Sequence, residues 1–201
     1  MLEALNTHAI YEFNKITLYL LQDSKVSQVK SLSKILLALY ILLLLWLVLF
    51  KFSLNISSVL DYQTRSINLL PFADASRDNL RGWIYNVVIF IPFGLLLSVN
   101  FKRANFWQKL TCVLIFSLAI EITQFVLMIG VSDITDIITN TLGGFLGLAL
   151  YDLSKKYADN KKLDRFIVVA GTILLIVFIL LLGTLLSRGF RYQSPHRASV
   201  I

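Results

Sequence analysis

The strongest constraint on this chain is the presence of five long apolar blocks. They occupy residues 35–50, 83–99, 110–129, 134–151 and 166–186. A transmembrane helix needs about 20 mostly apolar residues to cross a hydrocarbon core of about 30 Å. Charged residues make up only 15% of the 201 positions, whereas a typical water-soluble domain carries about 25%. The sequence therefore predicts an all-α, polytopic membrane protein with about five transmembrane helices.

The distribution of positive charge predicts the orientation of these spans. Twelve Lys and Arg residues precede the first span or lie in the second-to-third and fourth-to-fifth loops, and seven lie on the other side. Cytoplasmic loops carry the excess of Lys and Arg. We therefore expect a multi-pass protein of the cell membrane with a cytoplasmic N-terminus and an extracellular C-terminus. This bias and anionic lipids account for the net charge of +7, so no nucleic-acid partner is expected.

The chain divides into three regions. Residues 1–34 are expected to form a cytoplasmic N-terminal segment, in which apolar residues recur every three or four positions over 2–21. This pattern predicts an amphipathic helix that lies on the inner membrane surface or packs against the first span or a partner. Residues 35–187 are expected to form the transmembrane bundle and 188–201 a basic C-terminal tail. The late first apolar block and the spans that follow it argue against a secretory signal peptide.

The long loop at residues 51–82 is also expected to be structured. Connections longer than about 12–15 residues are often functional or disordered. The middle of this loop, residues 67–72, is apolar and is expected to fold back onto the bundle rather than to act as a flexible linker.

Polar residues interrupt the middle three spans and form the candidate ligand-binding cluster. They are Asn86, Glu121, Gln124, Asp133, Asp136 and Asn140. Residues three or seven apart share one helical face, and the short turn between the third and fourth spans makes these two helices antiparallel neighbours. A carboxylate near mid-membrane costs about 2.5–3.5 kcal/mol, so these acids should face the bundle. Under the predicted orientation the cluster lies in the outer half of the membrane.

Prolines and glycines near this cluster are assigned structural roles. Gly143 and Gly147 have the small-xxx-small spacing that lets helices approach closely. Pro92, followed by Gly94, is expected to kink the second span because proline removes a helical hydrogen bond. Pro71 lies in the apolar part of the long loop.

No zinc site or disulfide is predicted. Cys112 is the only cysteine, and the two histidines lie near opposite ends of the chain. No cofactor is therefore assigned, although a cluster of oxygen ligands would suit a divalent cation such as Mg²⁺ or Ca²⁺.

Four motifs in order resemble the VanZ-like family. They are Asn68-Leu-Leu-Pro-Phe72, Asn86-x-x-x-Phe90-x-Pro92-Phe-Gly94, Glu121-x-x-Gln124 and Asp133-Ile-x-Asp136-x-x-x-Asn140-Thr-Leu-Gly143, within about residues 60–152. The resemblance implies a link to glycopeptide resistance, in particular to teicoplanin, in Gram-positive bacteria. It does not imply a known reaction.

One departure from the family pattern concerns a positive charge. Relatives often carry an arginine just after the glycine of the third-to-fourth turn, where this chain has Val131. Arg77 and Arg81 precede the second span on the same predicted side. Arginine remains charged when partly buried and pairs well with carboxylates. We therefore predict that Arg77 or Arg81 lies over the acids, the alternative being that both contact lipid phosphates.

Three functions remain open at this point. In the first, the polar cluster binds or modifies a lipid-linked cell-wall precursor or another amphiphile such as a glycopeptide, with membrane lipids as the natural partners. In the second, it serves a membrane enzyme that acts on a lipid headgroup through carboxylates or a divalent metal. In the third, its residues only join helices. A small transporter is a further alternative, but no inverted repeats are evident. No catalytic residue is assigned, because no nucleophile–base pair is evident.

Overall fold

The computed structural model describes residues 28–49, 64–73 and 76–192. These ranges contain five α-helices and two short β-strands. In chain order they are α1 (Gln28–Leu49), β1 (Thr64–Asn68), α2 (Arg77–Asn100), α3 (Phe106–Leu127), β2 (Ile129–Asp133), α4 (Ile134–Ser154) and α5 (Asn160–Tyr192). The predicted amphipathic helix at 2–21, much of the long loop and the last residues of the tail lie outside the described residues.

All five helices have the length and apolar composition needed to cross a membrane. The prediction of an all-α bundle with five such helices is confirmed. The helices extend beyond the apolar blocks, since α1 begins at Gln28 and α5 at Asn160. A capping box explains the start of α3, where Asn105 and Gln108 each accept a hydrogen bond from the other's backbone N–H.

The centre of the bundle is the close contact between α2 and α4. A methyl group added at Gly147 would collide with the carbonyl oxygen of Ile91 and lie 3.1 Å from the Cα of Gly94. One added at Gly143 would lie 2.9 Å from the carbonyl carbon of Val87. The predicted close approach at the Gly143–Gly147 spacing is therefore confirmed. The helix α2 continues through Pro92.

Apolar side chains fill the space around this contact. Phe90 and Phe93 of α2 are buried and pack with Phe116 of α3 at ring-centroid distances of 6.3 and 5.0 Å. A Cβ added at Gly144 would lie 2.5 Å from Cγ1 of Val113 in α3, so this side chain packs directly against the glycine. The buried core joins these three helices and also includes side chains of α1, such as Leu44, and Val168 of α5.

Two short strands form a parallel pair next to the helices. Thr64 to Asn68 of β1 pair in register with Ile129 to Asp133 of β2. The sequence analysis expected a short turn at Gly130–Ser132 and did not predict these strands. Because unpaired backbone groups are costly within a bilayer, the strand pairing lets both non-helical segments lie against the bundle.

The fold-back of the long loop is confirmed by two contacts. The amide nitrogen of Phe72 donates to Thr135 Oγ1 at 3.1 Å. The ring of Phe72 also packs edge-on against Trp83, with centroids 4.9 Å apart. Phe72 adopts a positive φ of 56° directly after Pro71, which turns the chain towards α2. We call the end of the bundle that contains β1, β2 and the start of α2 the strand end.

Polar contacts connect the helices at the end of the bundle opposite the strand end. Lys102, in the α2–α3 loop, lies 2.5 Å from Asp164 of α5 and also bonds to the hydroxyl of Tyr151. The Tyr151 hydroxyl in turn donates to Asp164 at 2.8 Å. On α4, Asp152 pairs with Lys155 at 2.8 Å. The contacts among Lys102, Tyr151 and Asp164 join α5 and the α2–α3 loop to α4, whereas the Asp152–Lys155 pair is local to the end of α4.

Candidate functional site

A polar cavity of about 510 Å³ opens at the strand end. This volume falls within the range of about 300–1,000 Å³ that is usual for small-molecule sites. We call it the polar cavity. The polar and aromatic residues that line it are Asn68, Asp78, Asn79, Arg81, Trp83, Tyr85, Asn86, Asp133, Thr135 and Asp136. It is therefore rich in hydrogen-bonding groups although it lies within a bundle of apolar helices.

Asp133 is held in place by two separate donors. It is the N-cap of α4, and its Oδ1 accepts from the amide of Thr135 at 2.7 Å. Its Oδ2 accepts from Asn68 Nδ2 at 3.0 Å. The amide of Asn68 is itself oriented, because its Oδ1 accepts from the backbone N–H of Leu70 at 3.1 Å. A carboxylate at a helix N-terminus is favoured by the orphan N–H groups and the helix dipole.

Asp136 is joined to the neighbouring helix. Asn86 Nδ2 of α2 donates to Asp136 Oδ1 at 2.8 Å. Asn86 is 8% exposed, so this bond spans the α2–α4 contact at the wall of the polar cavity. The sequence analysis placed Asn86 and Asp136 in one cluster, and the structure brings them into direct contact.

Glu121 lies behind the strands rather than in the polar cavity. Its Oε2 accepts from the amide of Asp133 at 3.0 Å, and its backbone carbonyl accepts from Ser132 Oγ at 2.7 Å. Glu121 is 3% exposed. The carboxylate therefore bonds to the backbone at the junction of β2 with α4, and the expected meeting of the α3 and α4 polar faces occurs there.

Gln124 and Asn140 are buried and bond to other elements. Gln124 Nε2 donates to the carbonyl of Val48 in α1 at 3.0 Å. Asn140 Nδ2 donates to Ser117 Oγ of α3 at 3.0 Å. Neither residue lines the polar cavity. Of the six polar candidates in the spans, the polar cavity therefore contains Asn86, Asp133 and Asp136.

The placement of Arg77 or Arg81 over the three acids stays a prediction. Arg81 lines the polar cavity, but its guanidinium pairs with Asp78 at 3.6 Å in a largely exposed ion pair. Arg77 begins α2 and is exposed. In the described ranges, no ion pair joins either arginine to Glu121, Asp133 or Asp136. Asp78 lies one turn from Arg81 on the same helix, a spacing that favours this local pair.

The position of Glu121 outside the polar cavity affects which acids could bind a divalent cation. Among the residues that the structure describes, no three His, Cys, Asp or Glu side chains are grouped to hold a metal ion. Glu121 bonds to backbone behind β2, so Asp133 and Asp136 are the candidate acids left in the polar cavity. Mg²⁺ is usually held by one or two carboxylates together with groups of the substrate. A divalent cation therefore stays a prediction.

Sequence reasoning missed several residues of the polar cavity. Asn68 belongs to a motif that was recognised, but its partner Asp133 follows from the β1–β2 register and not from spacing along one helix. Trp83 and Tyr85 were read as part of an apolar span, although both line the polar cavity. The available signal was their position within one turn of Asn86.

Comparisons with known proteins assign the chain to a family. Residues 37–155 match the VanZ/LLP1 family, so the matched region includes most of α1 as well as the motifs from Asn68 onwards. The chain is similar to Protein VanZ from Enterococcus faecium, with 56% identity over 150 residues that cover 75% of this chain and 92% of that protein. No solved structure matches the chain. With five membrane-length helices and a match across more than half of its length, this chain is a membrane protein of the VanZ/LLP1 family.

Proposed function

We propose that the polar cavity faces the outside of the cell and binds or modifies a lipid-linked component of the cell envelope. Through this component the protein would contribute to resistance to glycopeptides such as teicoplanin. Membership of the VanZ family supports the link to resistance. The observation that carries the binding role is the pair of positioned carboxylates, Asp133 and Asp136, in the wall of an open cavity.

The outward orientation is supported by the charges at the two ends of the bundle. The end opposite the strands carries Lys102, Arg103 and Lys155 together with the lysines at the start of α5. A cytoplasmic position for this end agrees with the excess of Lys and Arg in cytoplasmic loops. The strand end, with the polar cavity, then opens to the outer leaflet and the cell exterior.

A purely structural role for the polar residues accounts for only part of the site. Gln124 and Asn140 are fully buried and join helices, as residues with a structural role would. Interhelical hydrogen bonds in membrane proteins contribute about 0.6 kcal/mol on average. Asp133 and Asp136, by contrast, border an open volume of about 510 Å³. Polar groups that converge on one cavity favour a ligand-binding role.

The proposal is tested by removing one charge from the polar cavity. Asp136→Asn keeps the side-chain shape and an oxygen that accepts from Asn86, so the α2–α4 contact should persist. The matched control is Asp152→Asn, on the same helix at the opposite end, where the acid pairs with Lys155. Both variants and the wild type are expressed in a susceptible Gram-positive host, and teicoplanin susceptibility is measured at equal protein levels in the membrane.

We expect wild-type protein and Asp152→Asn to raise the inhibitory concentration of teicoplanin, and Asp136→Asn to lose most of this increase. Equal resistance from Asp136→Asn would contradict a role for the charge in the polar cavity. Failure of Asp136→Asn to accumulate in the membrane would instead favour a structural role, because removal of one member of a buried network lowers stability.

A further inference from the structure

A second cavity lies behind the strand pair and has the opposite character. Its volume is about 230 Å³. Most of its lining is aliphatic or aromatic, with Ile67 and Leu69 of the β1 segment facing apolar residues of α3 and α4. Glu121 and Ser132 also line it, and both are engaged in the hydrogen bonds described above. We call it the apolar groove. A volume below about 300 Å³ is small for a complete ligand, so the groove suits one part of a larger molecule.

The apolar groove and the polar cavity share a wall. Asn68 and Asp133 line both, and the hydrogen bond of 3.0 Å between their side chains lies at the boundary. A molecule that crossed this boundary would have donors and acceptors on one side and hydrocarbon on the other. The two cavities are therefore neighbours, one polar and one apolar, on either side of the Asn68–Asp133 pair.

The groove opens towards the lipid-facing surface of the bundle. Leu118 and Ile122 of α3 are 45% and 54% exposed, and Ile67 and Leu69 are 56% and 71% exposed. Exposed apolar groups at the end of β1 are favourable in contact with hydrocarbon and unfavourable in water. This part of the loop therefore belongs in the bilayer, where a hydrocarbon chain reaches the groove without leaving the membrane.

We infer that the apolar groove holds the hydrocarbon chain of the same lipid whose headgroup occupies the polar cavity, with the junction between them at the Asn68–Asp133 pair. This inference rests on the proposed function and specifies its ligand class as a lipid whose headgroup donates hydrogen bonds. The reason is the chemistry of part of the wall, since Asp133 and Asp136 present carboxylate oxygens, which accept hydrogen bonds and do not donate them when ionised. Arg81, a donor on the same wall, pairs with Asp78.

Two photoreactive phospholipids test both halves of this ligand. One is a phosphatidylethanolamine and the other a phosphatidylcholine, with identical acyl chains that carry a diazirine near the glycerol. Both headgroups are zwitterionic, but only ethanolamine has N–H donors. The full-length protein is reconstituted in vesicles with a trace of either probe, irradiated, and digested, and the crosslinked peptides are quantified by mass spectrometry.

We expect the ethanolamine probe to label the peptides of the groove about tenfold more than the choline probe. Leu118→Trp, which fills the mouth of the groove, should abolish this excess. Ile115→Trp is the matched control because Ile115 lies three residues away on α3, is 61% exposed and does not line the groove. Asp136→Asn should reduce the excess at the groove, although residue 136 lies in the polar cavity.

Equal labelling of the groove by both probes in the wild type would overturn the inference, because ordinary bilayer chains would then fill the groove. An excess that survives Asp136→Asn would overturn the link between groove and cavity. Either result is separate from the resistance assay, in which the proposed function fails if Asp136→Asn protects the host as well as the wild type does.

Discussion

The contact between α2 and α4 predicts a large effect of one added methyl group. In Gly147→Ala, the new Cβ would collide with the carbonyl oxygen of Ile91 and lie 3.0 Å from its carbonyl carbon. Ordinary contacts begin near 3.4 Å, so α2 and α4 would have to separate. Both obstructing atoms belong to the backbone and cannot rotate away. Overpacking of this kind costs about 1–3 kcal/mol.

The assay measures the thermal stability of the purified protein in detergent. Samples are heated, and unfolding is monitored as the loss of the monodisperse peak in size-exclusion chromatography. For a domain of 150–250 residues, 1 kcal/mol corresponds to about 2–4 °C in Tm. We therefore expect Gly147→Ala to lower the Tm by several degrees. The matched control is Gly183→Ala on α5, where a Cβ would have no atom within 4 Å in the part of the chain that the structure describes.

The control should be neutral or slightly stabilising, because alanine is about 1 kcal/mol more favourable than glycine in a helix. Equal Tm values for Gly147→Ala and Gly183→Ala would refute the close α2–α4 contact. If both variants were destabilised equally, the effect would reflect a general property of glycine in these helices.

Three further predictions concern other parts of the bundle. Glu121→Gln keeps an oxygen that accepts from the Asp133 N–H and should retain more stability than Glu121→Ala, which removes this acceptor and should lose about 1–3 kcal/mol in the same melts. In a background without the native cysteine, Asn55→Cys should react with an impermeant thiol reagent in intact cells and Ala104→Cys should not; the reverse pattern would place the polar cavity in the cytoplasmic half. Asp164→Asn removes the partly exposed pair with Lys102 and should cost only about 0.2–1 kcal/mol, with a smaller effect in high salt; a loss much larger than this would show that the opposite end depends on this pair.

The helices could be predicted from the sequence because their signal is local. In a chain of 201 residues, the remaining residues are too few to bury five blocks of 16 to 21 mostly apolar residues. The surroundings of these helices must therefore include lipid. The Gly143–Gly147 spacing was equally local, and its consequence appears directly at Ile91 and Val87 of α2. The helix ends differ from the ends of the apolar blocks, since caps such as Asn105 add polar residues beyond the apolar block.

The strand pair was not predictable in the same way. The residues of β1 and β2 are separated by more than sixty positions, and their pairing depends on the bundle that holds them together. For the same reason the bond between Asn68 and Asp133 was missed. The ion pair of Arg81 with Asp78 on its own helix was also not predicted, although a spacing of three residues on a helix favours it.

The residues of the candidate cluster lie in different surroundings in the structure, and their role in ligand binding stays a prediction. Asp133, Asp136 and Asn86 line the polar cavity, as a shared polar face would. Glu121 instead accepts from the amide of Asp133. The pattern along a helix gives the face on which a side chain lies, but it does not distinguish a group that bonds to backbone from one that borders a cavity.

The most direct test of the central claim is native mass spectrometry of the protein released from its own membranes. The wild type should retain a lipid in roughly equimolar amount, and fragmentation should show a headgroup with hydroxyl or amine donors. Asp136→Asn should lose this lipid, while Asp152→Asn should keep it. If the wild type and Asp136→Asn retained the same lipids in the same amounts, the polar cavity would not be the headgroup site and the account would be wrong.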